Sequence, residues 1–208
     1  MKKTTIFICV LLIFANQVPV FSQETFYHSK NGHFSFALPG GWIQIPDGIL
    51  KEYIKTLRAS SPLAAKAHYD AAFQKKNNEY YFASPRLLVK IDKKGRYDEE
   101  DVKRTSTAHE TEKEMAKTAR NLEKAYKGTI DSLNFGKFTY DEGKHALFMK
   151  TEGVTAKEGR IIAVTAVMLS DYGSVRLMFY STADTFSENK IYFDRIINSF
   201  KFDKGHGY

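Results

Sequence analysis

The chain has 208 residues, with 31 lysines and arginines, 24 aspartates and glutamates, and a formal net charge of +7. This length suits one domain, and the mild charge, interleaved with acidic residues, indicates a solvated surface and no nucleic-acid site. The single cysteine, Cys9, lies in the first segment. The rest of the chain therefore cannot form a disulfide, a thiolate metal site or a cysteine nucleophile.

The first residues have the pattern of an export signal. Lys2 and Lys3 precede a short apolar run over 6–15, and residues 20–22 offer a signal-peptidase site. The run is short for a membrane span, which takes about 20 apolar residues. An uncleaved anchor is the alternative, but the pattern favours a signal peptide over 1–22.

This organisation predicts one domain over residues 23–203 and a frayed, glycine-containing tail over 204–208. It also predicts a periplasmic or secreted protein with no stable membrane insertion after cleavage. The oligomeric state is left open.

The first predicted element is a hairpin over residues 25–38. Asn31-Gly32 forms its two-residue turn, because both positions tolerate positive φ. Side chains alternate between the faces of a strand, so this turn fixes which of them share the core face. The predicted core residues are Tyr27, Phe34, Phe36 and Leu38.

His28 and His33 fall on the opposite face of this hairpin. They form a diagonal pair that a metal ion could use, or they are two exposed strand residues. The second reading is favoured, since a metal site needs three or four ligands.

Helices are predicted next along the chain. Asp47 can cap a helix whose apolar residues recur at helical spacing as far as Leu57. Ser61-Pro62 is typical of a second helix start, which predicts an alanine-rich helix from Leu63 to about Lys75. A strand is then expected from Tyr80 to Ile91.

A long charged helix is predicted from Asp98 to about Tyr126, ended by Gly128. Residues 130–140 and 145–151 form a second predicted hairpin. Residues 160–184 form a third, in which two nearly continuous apolar runs flank a short turn. Such runs are typical of strands covered on both faces.

The last predicted element is a closing helix. Thr185-Phe186-Ser187-Glu188 matches a capping box, and the residues that follow give a wide apolar face as far as Phe200. Strands joined by short turns, with helices inserted between them, predict an α+β fold. We expect a largely antiparallel sheet sandwiched between helices.

Two segments of the chain resemble a known superfamily. Phe34-Ser-Phe-Ala-Leu-Pro-Gly-Gly-Trp42 runs an amphipathic strand into a Pro-Gly-Trp corner, and Tyr192 to Phe202 is a closing helix that leads into Ser-Phe. This pairing resembles the Mog1/PsbP-like superfamily. The resemblance implies an antiparallel sheet between helices and binding to other proteins, mostly without catalysis. It supplies no catalytic residues.

Motifs of catalysis and of cofactor binding do not stand out. There is no Gly-x-Ser-x-Gly elbow, phosphate-binding glycine loop or dinucleotide fingerprint. His109-Glu110 begins like a zinc-protease motif, but Lys113 occupies the position of its second histidine. An acidic cluster over residues 92–101 could hold calcium, although its spacing matches no calcium loop and acids are expected at a helix start.

The sequence therefore favours an exported, non-enzymatic binding or accessory protein of the bacterial envelope, with no cofactor. Its expected partner is another envelope protein. Tyr80, Tyr81 and Tyr97 form the predicted interaction surface. The alternatives are a small-molecule or divalent-metal binding protein, and a hydrolase whose catalytic residues are distant in sequence.

Overall fold

The computed structural model describes residues 24–60, 65–77, 80–93, 95–107 and 109–207. The export signal predicted over 1–22 and the helix start predicted at Ser61-Pro62 lie outside these residues. So does the side chain of His109.

The centre of the structure is a seven-stranded sheet in the order β3-β4-β5-β9-β8-β7-β6, and every neighbouring pair is antiparallel. Its strands are β3 (Trp42–Gln44), β4 (Ala71–Lys75), β5 (Arg86–Asp92), β6 (Ile130–Asp141), β7 (Ala146–Thr155), β8 (Gly159–Ser170) and β9 (Gly173–Thr182). The predicted α+β class with a largely antiparallel sheet is confirmed.

The central hairpin of β8 and β9 forms where it was predicted. On one face of β9, Val175, Leu177 and Phe179 are fully buried. On the other face, Met178 and Tyr180 are half-buried. The central hairpin is therefore packed on both sides, as predicted, although less completely on the second face, where Met178 and Tyr180 pack against the cluster formed with the helix Asp47–Ser60.

One layer lies over the buried face. It combines a small sheet of β1 (Thr25–Ser29), β2 (Phe34–Leu38) and β10 (Lys201–Phe202) with the closing helix α4 (Phe186–Ser199). Phe34 and Phe36 pack with Phe193 and Ile196 of α4 into the main core. Trp42 is buried beside them, with its ring centroid 6.1 Å from that of Phe179.

On the opposite face, the described residues form the helical segments α1 (Asp47–Ser60), α2 (Glu99–Thr107) and α3 (His109–Ala125). The register places Leu88, Met178, Met149 and Phe138 on this face. α1 packs on Leu88 at one side of the sheet, while α2 and α3 contact β6 at the other. The sheet therefore lies between helices, as predicted.

The helix predicted from Leu63 to Lys75 is wrong over its described part, since Ala71–Lys75 forms strand β4. Ala71, Ala72 and Phe73 are buried, and the segment pairs with β3 and β5. Alanine favours helices in isolation, but a strand buried on both faces by a helix and a second sheet accepts small side chains. Burial has overridden propensity here.

One other boundary differs from the predictions. The strand expected from Tyr80 begins only at Arg86. The helix expected from Asp98 to Tyr126 is described as α2 and α3, and residue 108 between them lies outside the described residues. In the last turn of α2, the Ser106 hydroxyl donates to the Lys103 carbonyl at 2.7 Å.

The hairpin of β1 and β2 has the predicted register, with Tyr27 opposite Phe36 and Ser29 opposite Phe34. Its turn differs from the expected type. The positive φ falls on His33, at 52°, and not on Asn31 or Gly32. Gly32 instead donates its amide to the Ser29 hydroxyl at 3.1 Å.

Strand β6 forms one edge of the large sheet. Its pairing with β7 shifts between Ile130 and Ser132 and again between Phe135 and Phe138. These irregularities bend an edge strand of 12 residues.

Candidate functional site

Tyr80 and Tyr81 lie in the segment between β4 and β5, and their exposed fractions are 56% and 42%. A buried amide fixes this segment. Gln74 is 1% exposed, donates to the Tyr80 carbonyl at 3.1 Å and accepts from the Phe82 amide at 2.6 Å. The two tyrosines are therefore presented by a segment that is tied to the sheet.

Phe82 anchors the same segment from the other side. Its φ is +63°, which is unusual for a residue that is not glycine. Its ring stacks on that of Tyr53 from α1, with centroids 3.9 Å apart. The segment is thus held between β4, β5 and α1.

Arg86 lies beneath this segment and is 8% exposed. Its Nη1 donates to the Phe82 carbonyl at 3.1 Å and to the Glu158 carboxylate at 2.8 Å. Its guanidinium lies 5.1 Å from the ring of Tyr180, the residue opposite it in the ladder. Arg86 therefore joins the tyrosine segment to the turn between β7 and β8.

The electrostatics of this cluster follow from burial. Burial lowers the pKa of Arg86, but the hydrogen bond and negative charge of Glu158 raise it by more, so the net shift is upward. Burial raises the pKa of Tyr180 and of Tyr53. Removing one partner of a buried ion pair leaves an uncompensated charge and costs about 3–5 kcal/mol, so the pair is a firm support.

A network of hydroxyl groups lies beside the ion pair. The Ser84 hydroxyl accepts from the Thr182 amide at 2.9 Å, and the Thr182 and Thr185 hydroxyls are 2.8 Å apart. Asn189, which is buried, donates to Thr185 at 2.9 Å and to Ser181 at 3.0 Å. Asn189, on α4, therefore holds the Thr185 and Ser181 hydroxyls in place.

This network also corrects the predicted capping box at Thr185 to Glu188. Thr185 precedes α4, but its side chain makes no capping hydrogen bond. Its hydroxyl is engaged by Thr182, Ser181 and Asn189 instead. The pattern in the sequence was correct for the helix start and wrong for the contact.

These groups surround a surface hollow of about 340 Å³, which we call the Tyr80 hollow. It is lined by Asn77, Tyr80, Phe82, Ala83, Ser84, Lys157, Glu158, Thr182 and Thr185. The ammonium of Lys157 lies 5.8 Å from the centroid of the Tyr80 ring. One wall is therefore aromatic and charged, and the other consists of hydroxyl groups.

Tyr97, the third residue of the predicted surface, lies elsewhere. It follows β5, whereas Tyr80 and Tyr81 precede it, and seven residues of strand span about 20 Å. Tyr97 lines an apolar groove of about 420 Å³ with Val102, Phe138 and Leu147. The structure therefore brings Tyr80 and Tyr81 together and separates them from Tyr97.

The acids considered for calcium have separate partners. Asp98 accepts from the Asp101 amide at 3.0 Å at the start of α2, and Asp101 pairs with Arg104 at 2.6 Å. Glu99 accepts a hydrogen bond from the Tyr140 hydroxyl, which is the main reason its pKa is lowered. These contacts tie α2 to itself and to β6.

His28 and His33, considered as metal ligands, do lie on one surface and share Asp203 as a neighbour. Within the described residues, no three histidine, aspartate, glutamate or cysteine side chains are grouped so as to hold a metal ion.

Sequence reasoning missed Arg86, Glu158 and the hydroxyl network. One signal was available for Arg86, a charge directly before the apolar run Leu87-Leu88-Val89. Glu158 is 72 residues away in the chain, and no local pattern indicates that it pairs with Arg86.

Comparisons with known proteins support the fold. No family model and no curated protein matches the chain. Among solved structures, the cyanobacterial PsbP protein (CyanoP) of Synechocystis sp. PCC 6803 matches 89% of this chain and 95% of its own, with a TM-score of 0.55 and 15% identity. LpqN, described as involved in cell envelope biogenesis of Mycobacterium tuberculosis, matches 87% of this chain and 91% of its own, with a TM-score of 0.44 and 12% identity.

The class that these observations define is an α+β sandwich, and its fold is the PsbP-like fold that the two end segments predicted. Within the described residues, no helix combines the length and the apolar character needed to cross a membrane.

Proposed function

We propose that this chain is an exported, non-enzymatic accessory protein of the bacterial envelope that binds another envelope protein. The export pattern of the first 22 residues motivates the compartment. The Tyr80 hollow and the adjacent Tyr81 motivate the proposal that the chain acts by binding a protein partner. The observation that carries the proposal is the pair of exposed tyrosines on a segment fixed by Gln74 and Arg86.

The physical argument concerns energy and rigidity. Tyrosine is enriched among the few interface residues that supply most of the binding energy. Ordering a flexible segment on binding would cost conformational entropy, and Gln74, Phe82 and Arg86 reduce that cost in advance. A surface with rigid aromatic groups, one ammonium and several hydroxyls suits a protein partner with an apolar centre and a polar rim.

A capture experiment with matched variants tests this proposal. The mature chain, immobilised and incubated with envelope extract of its own bacterium, should retain a defined partner. The double variant Tyr80→Ser/Tyr81→Ser should lose that partner, because it removes both exposed rings. Phe26→Ser is the control, since Phe26 is 71% exposed on β1 and belongs to a different layer.

The two variants must first show the unfolding midpoint of the wild type, since exposed substitutions rarely exceed about 0.5 kcal/mol. The proposal is contradicted if the double variant retains the same partner as the wild type. It is also contradicted if the wild type retains no protein at any salt concentration.

A further inference from the structure

Three histidines and one aspartate meet at the corner where the carboxyl-terminal segment returns to the β1–β2 turn. His28 Nε2 lies 3.1 Å from Asp203 Oδ2, and His33 Nδ1 lies 4.0 Å from the same oxygen. His206 stacks on His33 with ring centroids 3.9 Å apart and planes within 3°. We call these four residues the histidine corner.

The backbone brings these side chains together. The Asp203 amide donates to the His33 carbonyl at 2.8 Å, and the His206 amide donates to the Asp203 carbonyl at 3.0 Å. The left-handed conformation of His33 occurs in the same turn. Within the tail predicted over 204–208, His206 thus contacts the β1–β2 turn, next to Asp203 at the end of the predicted domain.

Tyr172, from the β8–β9 turn, supports the stack. Its ring meets His33 and His206 edge-on, at 5.9 Å and 5.8 Å between centroids. Its hydroxyl donates to the Gly32 carbonyl. Burial raises the pKa of Tyr172, so this hydroxyl keeps its proton across the physiological range.

The charge of the corner changes sign when its imidazoles take up protons. With neutral imidazoles, the four side chains carry the single negative charge of Asp203. Imidazole is the side chain that normally gains its proton between about pH 8 and pH 5. With all three protonated, two positive rings face each other at 3.9 Å, and Asp203 is shared with His28.

Besides Asp203, the carboxylates of the packed segments are Asp171 and Asp92, and Asp92 ends β5 opposite Ser174. Asp171, next to Tyr172, pairs with Arg96 at 3.5 Å. Lys30 in the β1–β2 turn and Lys201 and Lys204 around Asp203 add positive charge along the chain. Protonation of the stacked pair therefore adds like charge to a region that is already basic.

We propose that the histidine corner is a pH-sensitive latch, which docks residues 203–207 when its imidazoles are neutral and releases them when His33 and His206 are both protonated. Asp203 can neutralise one added proton, and its closest imidazole is His28. Among the contacts of His33 and His206 described above, no carboxylate other than Asp203 is available to neutralise a second added proton. Release would uncover the ring of Phe202, against which Gly207 lies.

Backbone ¹⁵N relaxation of the mature chain tests the latch, with EDTA present so that metal ions play no part. At about pH 7.5, order parameters of residues 203–207 should be near those of α4, about 0.85. At about pH 5 they should fall below about 0.6, while α4 is unchanged.

The variant His206→Phe makes the test specific. Phenylalanine keeps a flat ring against His33 but cannot take up a proton, so the tail should stay ordered at both pH values. His68→Asn is the matched control, because His68 is another exposed histidine beside an aspartate, 3.1 Å from Asp70. It should leave the pH response of the tail unchanged.

Several outcomes would overturn the proposal. A tail with the same order parameters at both pH values, whether ordered or mobile, shows that no such latch operates. A His206→Phe tail that is released at low pH like the wild type shows that repulsion within the stack is not the cause.

Discussion

Glu152, on strand β7, lies between two cations. Lys150 donates to its carboxylate at 2.8 Å and Arg160 at 2.9 Å, and these contacts lower the pKa of Glu152 to about 2. A carboxyl with a lowered pKa in the folded state stabilises that state fully above its unfolded pKa. The contribution is lost as the pH falls through the folded value.

The change Glu152→Gln should therefore reduce stability at neutral pH. The difference from the wild type should shrink as the pH falls from about 4.5 toward about 2. Urea unfolding midpoints measured over this range check the prediction. Glu24→Gln removes the same charge before β1 and should follow the wild-type profile; a Glu152→Gln difference that is constant with pH would contradict the argument.

At the scale of residues, the sequence predicted which side chains share a face and missed which distant ones meet. The alternation of Tyr27, Phe34 and Phe36 was enough to place them in the core. Asp203 meets His28 across 175 residues. Nothing in a local pattern signals such a contact, because it depends on where the last strand returns.

The closing helix α4 is the main cover of the buried face. Ile196 and Phe193 lie in the core, and the Phe193 ring stacks on Phe179 with centroids 5.2 Å apart. Ile191, on the same helix, is 55% exposed. Ile196 and Ile191 are the same residue type on the same helix, so comparing substitutions at the two positions measures the effect of burial apart from that of helix propensity.

We expect Ile196→Ala to destabilise the fold by about 2–5 kcal/mol, because it removes buried methyl groups and leaves a cavity. Ile191→Ala should stay within about 0.5 kcal/mol of the wild type. Urea unfolding monitored by circular dichroism measures both free energies. Equal losses for the two variants would show that α4 does not depend on its buried face.

At the scale of elements, the predictions succeeded where turns and apolar runs agreed. The two hairpins of β6 to β9 and the helix α4 were found close to their predicted positions. β4 was mistaken for a helix because Ala71 and Ala72 favour helices locally. Only the position of β4 between β3 and β5 explains its strand conformation.

The whole molecule is organised around a single sheet that both outer layers share. The main core joins the sheet to β2 and α4 on one face, and a second cluster with Leu50, Ile54 and Leu88 joins the sheet to α1 on the other. The chain should therefore unfold as one cooperative unit, as single domains usually do.

The only tryptophan, Trp42, offers a probe of this cooperativity because it is buried in that core. Its fluorescence and the far-ultraviolet circular dichroism should report the same urea midpoint. Two separate midpoints would mean that the helices on the second face unfold independently.

The fold class at this scale followed from the order of the predicted elements, since short turns between strands imply antiparallel pairing. The candidate site did not follow, because the Tyr80 hollow is built from the segment between β4 and β5, the β7–β8 turn, the end of β9 and Thr185 before α4. Its residues come together only after the sheet has formed.

The two register shifts in β6 have a practical consequence for the handling of this protein. A regular edge strand of 12 residues could pair with the edge strand of a second copy and so start aggregation. Gly136 lies between Phe135 and Phe138, and a methyl group there would approach the Lys150 carbonyl oxygen to 2.8 Å. The irregular edge strand β6 should therefore resist pairing with a second copy in concentrated solution. A variant that restores regular pairing along β6 should aggregate more readily.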